Sequence, residues 1–317
     1  MAKYLIKRII QSIITIILIV TVVFLLMRLM PTDYYFTEQE LMKLTPEQKQ
    51  DRLKAAGLLD PPLVQLGRFY RDLFTKFDLG TSRRLQANQP VIEMIGSKFE
   101  VSMRIGLISL GIGLFLGVLF GILQARYKNG VFDQIGTAYT IFINAVPALV
   151  SYSLILAFGS RVLGLPSLYS TRKVFESSIM PVTCLALGTI ASYMLWMRRY
   201  MVDELNKDYI RLAKLKGCST RRVMFGHVMK NAFLPLAQYL PYNILLTIGG
   251  SLLVERFFSV PGLGPLLTDA ISRYDTNVVQ AIVLLYATLG VTGLLLGDLL
   301  LTAIDPRIRL GTKGGTR

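Results

Sequence analysis

Six long apolar stretches alternate with polar ones along the chain. The first, "IIQSIITIILIVTVVFLLM" at residues 9–27, is long enough to cross roughly 30 Å of hydrocarbon at about 1.5 Å per helical residue. Five more follow at 101–124, 135–159, 178–197, 236–254 and 278–303, separated by charged or proline-containing segments. The pattern predicts an all-α integral membrane protein, a bundle of six transmembrane helices with both termini on one side of the bilayer.

One polar interval is of a different kind. Residues 31–98 carry near-balanced charge and Pro31, Pro46, Pro61, Pro62 and Pro90, and they predict a small subdomain between the first two spans. Within it, Thr45 is placed to cap a helix, with Pro46 at the first helical position, Gln48 completing a capping box and Gly57 at the stop. The predicted organisation is 1–30 for the N-terminal tail and first span, 31–98 for the outer subdomain, 99–307 for a five-span core and 308–317 for the tail. A cytoplasmic loop at 198–235 interrupts that core.

Orientation follows from Lys and Arg in short loops. Lys3, Lys7 and Arg8 precede the first span, Arg126 and Lys128 follow the second, and the 198–231 segment holds nine basic residues, Arg198 to Lys230, against Asp203, Glu204 and Asp208. The outer loops 160–177 and 255–277 carry five. The termini are therefore predicted to be cytoplasmic, the subdomain outside, and the protein multi-pass in the cytoplasmic membrane. The N-terminus reads as an uncleaved anchor, because no small-x-small cleavage site follows it.

Composition agrees with the pattern: 52% of residues are hydrophobic and 17% charged. The formal charge of +15 lies between apolar spans, not on one nucleic-acid-binding face. Cys184 and Cys218 fall on different sides of a membrane boundary and are not predicted to pair. There is no phosphate-binding G-x-x-x-x-G-K-[ST], no H-E-x-x-H, and a single histidine, His227, so no catalytic, metal or cofactor set is expected in this chain.

Gly113, Gly117 and Gly121, and Gly293 with Gly297, recur at every fourth position and predict close helix packing. Ionisable residues inside spans are few. Glu100 and Arg104 stand at the outer entrance of the second span, and Asp298 and Asp305 near the inner end of the sixth; both read as boundary pairs. Asn144 before Pro147, and Gln238 and Asn243 around Pro241, are uncharged. They suit either pathway lining or hydrogen bonds between helices.

The 198–235 loop contains "DYIRLAKLKGCSTRRVMFGHVMKNAFLP". Asp208 onward predicts one short helix ended by Gly217, then a second, "RRVMFGHVMKNAFL", capped by Ser219 or Thr220 and stopped before Pro235. Val223, Met224, His227, Val228 and Ala232 fall on one side of it, with Arg221, Arg222 and Lys230 free. Such a unit either lies on anionic lipid or inserts into a partner's groove.

This loop resembles the EAA loop of ABC importer permeases, in the form used by the dipeptide/oligopeptide (peptide/nickel) family. "YLIKRIIQSIITIILIVTVVFLLMRLMP", "VERFFSVPGLGPLLTDAI" and "AIDPRIRLG" extend the resemblance along the whole chain. It implies the type I importer permease fold, with a coupling surface of Asp208, Tyr209, Arg211, Leu212, Ala213, Leu215, Lys216, Gly217, Arg221 and Arg222. Arg211 and Leu212 take the places of the Glu and first Ala of the general pattern, Ala213 the second Ala and Gly217 the Gly; Leu212 and Leu215 are bulkier than that pattern. The resemblance also implies two separate ATPases that bind ATP and Mg, a second homologous permease forming a heterodimer with this one, and an extracytoplasmic solute-binding protein. Phe257, Phe258, Pro261 and Gly262 are then outer gate or docking candidates. Peptides are the expected cargo, with oligosaccharides or nickel complexes as alternatives, and a self-sufficient carrier or channel is the reading outside this family.

Overall fold

The computed structural model of the chain describes residues 2–29, 35–36 and 38–304. Pro31, Asp305 and the predicted tail 308–317 lie outside them. Among the described residues the regular elements are helices, with one isolated bridge, Thr81 to Pro90.

Helix α1 runs Ala2–Met27. The outer subdomain follows with α2 (Glu38–Lys43), α3 (Pro46–Ala55) and α4 (Pro62–Lys76). The capping box forms as its residue types require: Gln48 N–H donates to the Thr45 hydroxyl, and Thr45 N–H to the Gln48 side chain. The subdomain is not a free-standing body, because the Tyr70 hydroxyl of α4 donates to the Ile17 carbonyl of α1 at 2.9 Å. The bundle is built from α5 (Val91–Arg126), α6 (Val131–Ala145), α7 (Ala148–Arg161) and α8 (Val174–Leu205). After α8 come α9 (Asp208–Leu215), α10 (Thr220–Arg222), a π-helical segment (Val223–Val228), α11 (Met229–Ala232) and α12 (Leu234–Ile248). Then α13 (Leu252–Phe257) and α14 (Leu263–Ser272) lead into α15 (Thr276–Ile304).

Ile6–Met27, α5, α8 and α15 are each long and apolar enough to cross a membrane. The stretch expected as one span at 135–159 is instead two helices, α6 and α7, bent by 109°. Pro147 causes the break: it has no N–H to give the helix and drives the preceding residue out of the α region, and Val146 is accordingly extended (φ −80°, ψ 127°). Helix α12 has 15 residues and extends about 22 Å.

Helix α5 lies along α8, and α12 along α15 and α5. The glycine stripe makes the first contact possible. A Cβ on Gly117 would sit 2.9 Å from the Ile190 carbonyl oxygen, and one on Gly121 2.8 Å from that of Met194, so the α5 backbone rests directly on α8. Gly293 and Gly297 meet Tyr242 and Gln238 of α12 in the same way.

The loops sort into two sets by their contacts. At one end, Asp275 accepts from the Ser82 hydroxyl at 2.6 Å and from the N–H groups of Arg83, Arg84 and Leu85, and Tyr169 N–H donates to the Phe258 carbonyl. At the other, Arg198 grips Asp133 at 2.5 and 2.7 Å, and Arg8 pairs with Asp298 at 3.0 Å. Each set contacts its own members. Of the boundary residues expected from sequence, Arg104 donates to the Tyr169 hydroxyl and Asp298 takes Arg8 and Gln238, while the Asp305 half of its pair lies outside the described residues.

Candidate functional site

After the last turns of α8, the 198–235 segment folds as two short helices at the C-terminal end of α8. Asp208 opens α9, and Gly217 closes it with φ +80°. Gly217 N–H donates to the Lys214 carbonyl and Cys218 N–H to that of Ala213, the paired bonds of a left-handed helix stop that only glycine adopts without strain. The Ser219 hydroxyl caps the next turn by accepting from Arg222 N–H.

Beyond that cap the second helix differs from the α-helix expected. Residues Val223–Val228 are π-helical, a wider turn with i→i+5 bonds. Val223 and Val228, five apart, are both buried, at 1% and 0% exposure; in an α-helix they would point about 140° apart. The same widening turns His227 outward, although sequence placed it with the buried set. The second helix ends at Ala232, before Pro235, as expected. Pro235 itself sits in the first turn of α12, where its missing N–H is no loss, and the chain passes from α11 to α12 through a single turn at Phe233.

What fixes the unit is a buried polar latch. Glu204, on the last turn of α8 and 7% exposed, accepts from the Tyr209 hydroxyl of α9 and from the Asn231 amide of α11 at 3.1 Å. Asn231 also donates to the Tyr209 oxygen at 2.8 Å, and Lys207 pairs with Glu204 at 2.8 Å. Burial, and then the adjacent Glu204 carboxylate, push the Tyr209 hydroxyl up to about 12, so it remains a donor. Beneath the latch, Ile210 is fully buried among Met197, Met201, Val223, Met224 and Val228. The opposite face of α9 is bare. Leu212 is 52% and Leu215 85% exposed, Asp208 and Arg211 form only a solvent-exposed pair at 3.3 Å, and Lys216, Arg221 and Arg222 are exposed. Ala213 is half-buried against the core.

Sequence reading treated Glu204 as one charge among many and missed its role, as it missed Asn231 and Asp133. A signal existed for Glu204. It continues the buried face of α8 through Met194, Met197 and Met201, and an acid on an apolar face requires donors. Asp133 had none, since its partner Arg198 is 65 residues away.

The other candidates are scattered. Asn144 is exposed and donates back to the Thr140 carbonyl of its own helix. Gln238 donates to Asp298 at 3.2 Å, joining α12 to α15. Asn243 donates to the Tyr193 hydroxyl at 2.8 Å beside a cavity. At the outer end Phe258 and Gly262 are buried, Phe257 packs edge-on against Tyr152, and Pro261 lines a surface cleft with Lys98 and Arg256. Phe258 and Gly262 thus stand under the loop and not on its surface. The loop is organised by Glu255, 1% exposed, which accepts from Ser251 and Gly264 N–H.

Long apolar helices, loops sorted to two ends and a latched amphipathic unit at one of them define a multi-pass membrane protein. The chain belongs to the family described as "Binding-protein-dependent transport system inner membrane component", whose model matches residues 117–310. A companion model, "Binding-prot-dependent transport system membrane comp, N-term", matches residues 1–103. Among curated relatives, the dipeptide transport system permease protein DppB of Lactococcus lactis subsp. cremoris is 35% identical over 98% of this chain and 100% of its own length. DppB of Bacillus subtilis is 30% identical over 99% of this chain and 100% of its own length. The oligopeptide transport system permease protein AmiC of Streptococcus pneumoniae is 34% identical over 66% of this chain and 42% of its own length. Of solved structures, a crystal structure of an amino acid ABC transporter with histidines shares the fold, with a TM-score of 0.53 and 17% identity over 68% of this chain and 95% of that one.

Proposed function

We propose that this chain is the transmembrane permease subunit of an ATP-driven importer of peptides. In this reading it crosses the membrane six times with both termini cytoplasmic. It pairs with a second, homologous permease, receives cargo from an extracytoplasmic solute-binding protein, and takes work from two ATPase subunits that carry the ATP and Mg. The bent α6–α7 pair and the short α12 make up the crossings that four long helices leave, and the two self-contained sets of loop contacts support that alternation. The chain itself is non-catalytic.

The observation that carries the reading is the docking unit. Helix α9 is held rigidly on its inner face by Glu204, Tyr209, Asn231 and Ile210, while Leu212 and Leu215 stand bare on the outer one. Large exposed leucines on a short, fixed helix beside basic side chains suit insertion into a partner's groove. A push on α9 reaches α8 through the latch, and α12 through α11. Peptide cargo is supported by the relatives, since full-length relatives at 30% and 35% identity bear dipeptide permease names.

The test is purification of the tagged protein from its native membrane, then reconstitution into proteoliposomes with the solute-binding protein and labelled di- and tripeptides. Two ATPases and a second permease are expected to co-purify, and peptide uptake to require Mg-ATP. Uptake by this chain alone, without ATP, would overturn the proposal.

A further inference from the structure

Between the C-terminal half of α8 and the middle of α12 lies a cavity of about 360 Å³, within the range of roughly 300–1,000 Å³ typical of small-molecule sites. It is lined by Tyr193, Trp196, Tyr200, Tyr239, Tyr242 and Asn243. Two properties separate it from ordinary helix packing. Its rim is open, with Trp196 41% and Tyr239 53% exposed. Its floor holds a polar pair with capacity to spare: Asn243 donates to the Tyr193 hydroxyl at 2.8 Å. Among the described residues, the Tyr193 proton and the Asn243 carbonyl oxygen have no hydrogen-bond partner. Tyr193 is 5% exposed, so the donor is aimed from a buried side chain.

An aromatic girdle at the membrane surface does not account for this. Tyr193 lies twelve residues before Leu205, the end of α8, which is about 18 Å deeper along the axis. Asn243 lies nine residues beyond Leu234, the start of α12, or about 14 Å. At that depth a lipid-facing amide and hydroxyl are costly. A free O–H donor and a free carbonyl acceptor, side by side, match the C=O and N–H that every peptide bond presents. The rings around them offer stacking area to side chains of any kind. Recognition of that form is indifferent to sequence.

Resting on the importer reading, we infer that this cavity is a peptide-backbone subsite on the inner half of the pathway: Tyr193 donates to a cargo carbonyl, Asn243 accepts from a cargo N–H, and Trp196 and Tyr239 flank the cargo side chain. The cavity stands on the same two helices that carry the docking unit, α8 leading into α9 and α12 following α11, so movement of α9 reaches both walls.

The experiment uses the complete reconstituted transporter and a labelled tripeptide, with rates normalised to assembled complex. Tyr193→Phe and Asn243→Leu keep the shapes of the side chains, and each is expected to lower transport kcat/KM about tenfold, the loss of one well-placed hydrogen bond. N-methylation of both peptide nitrogens of the tripeptide is expected to lower it about tenfold in the wild type and to have no further effect in Asn243→Leu. Equal sensitivity to N-methylation in both proteins overturns the subsite and leaves the importer intact. So does release of the second permease by Trp196→Ala, which would make the face a subunit interface. A wild-type transporter that moves another solute but no tripeptide overturns the importer reading itself.

Discussion

Removal of the Glu204 carboxylate should free α9 while leaving the bundle folded. In Glu204→Ala three donors lose a partner, unequally. The Tyr209 hydroxyl loses its acceptor in a charge-assisted bond, which contributes about 2 kcal/mol. Asn231 keeps its bond to Tyr209 at 2.8 Å and loses about 1 kcal/mol. Lys207 is 58% exposed, and the loss of its pair counts for a few tenths. The sum, about 3 kcal/mol, multiplies the local opening equilibrium of α9 by roughly 150. Hydrogen exchange reads this directly. The amides of residues 210–216 should lose about two decades of protection, while those of α5 and α15 hold theirs. Glu204→Gln, which keeps an acceptor and sheds the charge, should fall between. In the reconstituted transporter ATP hydrolysis should outlast peptide uptake. A change in α9 protection of less than about fivefold, or an equal loss across the bundle, would refute the latch.

Leu212→Ala and Leu215→Ala should leave the chain's melting temperature nearly unchanged, because both side chains are exposed, yet weaken capture of the ATPases about tenfold each in a pull-down. Gly117→Ala drives a methyl against the Ile190 backbone and should destabilise by about 1–3 kcal/mol, seen as a lower thermal midpoint in detergent. Asp133→Ala strands Arg198, whose side chain is 28% exposed. After allowance for that exposure the loss is about 2 kcal/mol, on the same thermal assay. The Tyr209 hydroxyl is raised to about 12, so its contribution to the latch is complete below about pH 10 and is lost as pH rises through 12. Exchange of α9, corrected for intrinsic rates, should therefore be flat across the neutral range.

Local chemistry was legible in the sequence and distant chemistry was not. Thr45, Gln48 and Gly217 act on backbone within three residues of themselves, and their types fixed their geometry in advance. Leu212 and Leu215 were singled out as bulky and stand exposed. Asp133, Glu255 and Asp275 act across folds of the chain: Asp275 is 192 residues from Arg83, whose N–H it accepts, and no spacing rule connects them. The break at Pro147 was visible as a proline, but its 109° bend depends on what α6 and α7 pack against. The π-helical segment had no marker, because "VMFGHV" differs little from an α-helical run in propensity.

That segment sets an angle. A π turn takes up one residue more than the α turn it replaces, so the chain before it is rotated by about 100° and shifted by about 1.5 Å relative to a continuous helix. The docking unit is therefore mounted on α12 with a built-in phase offset, much as a crank is keyed to its shaft. Deleting one residue within 224–227 would leave every side chain of the latch present and the spans uncut. It would nonetheless turn the bare face of α9 by more than a quarter revolution from its present heading.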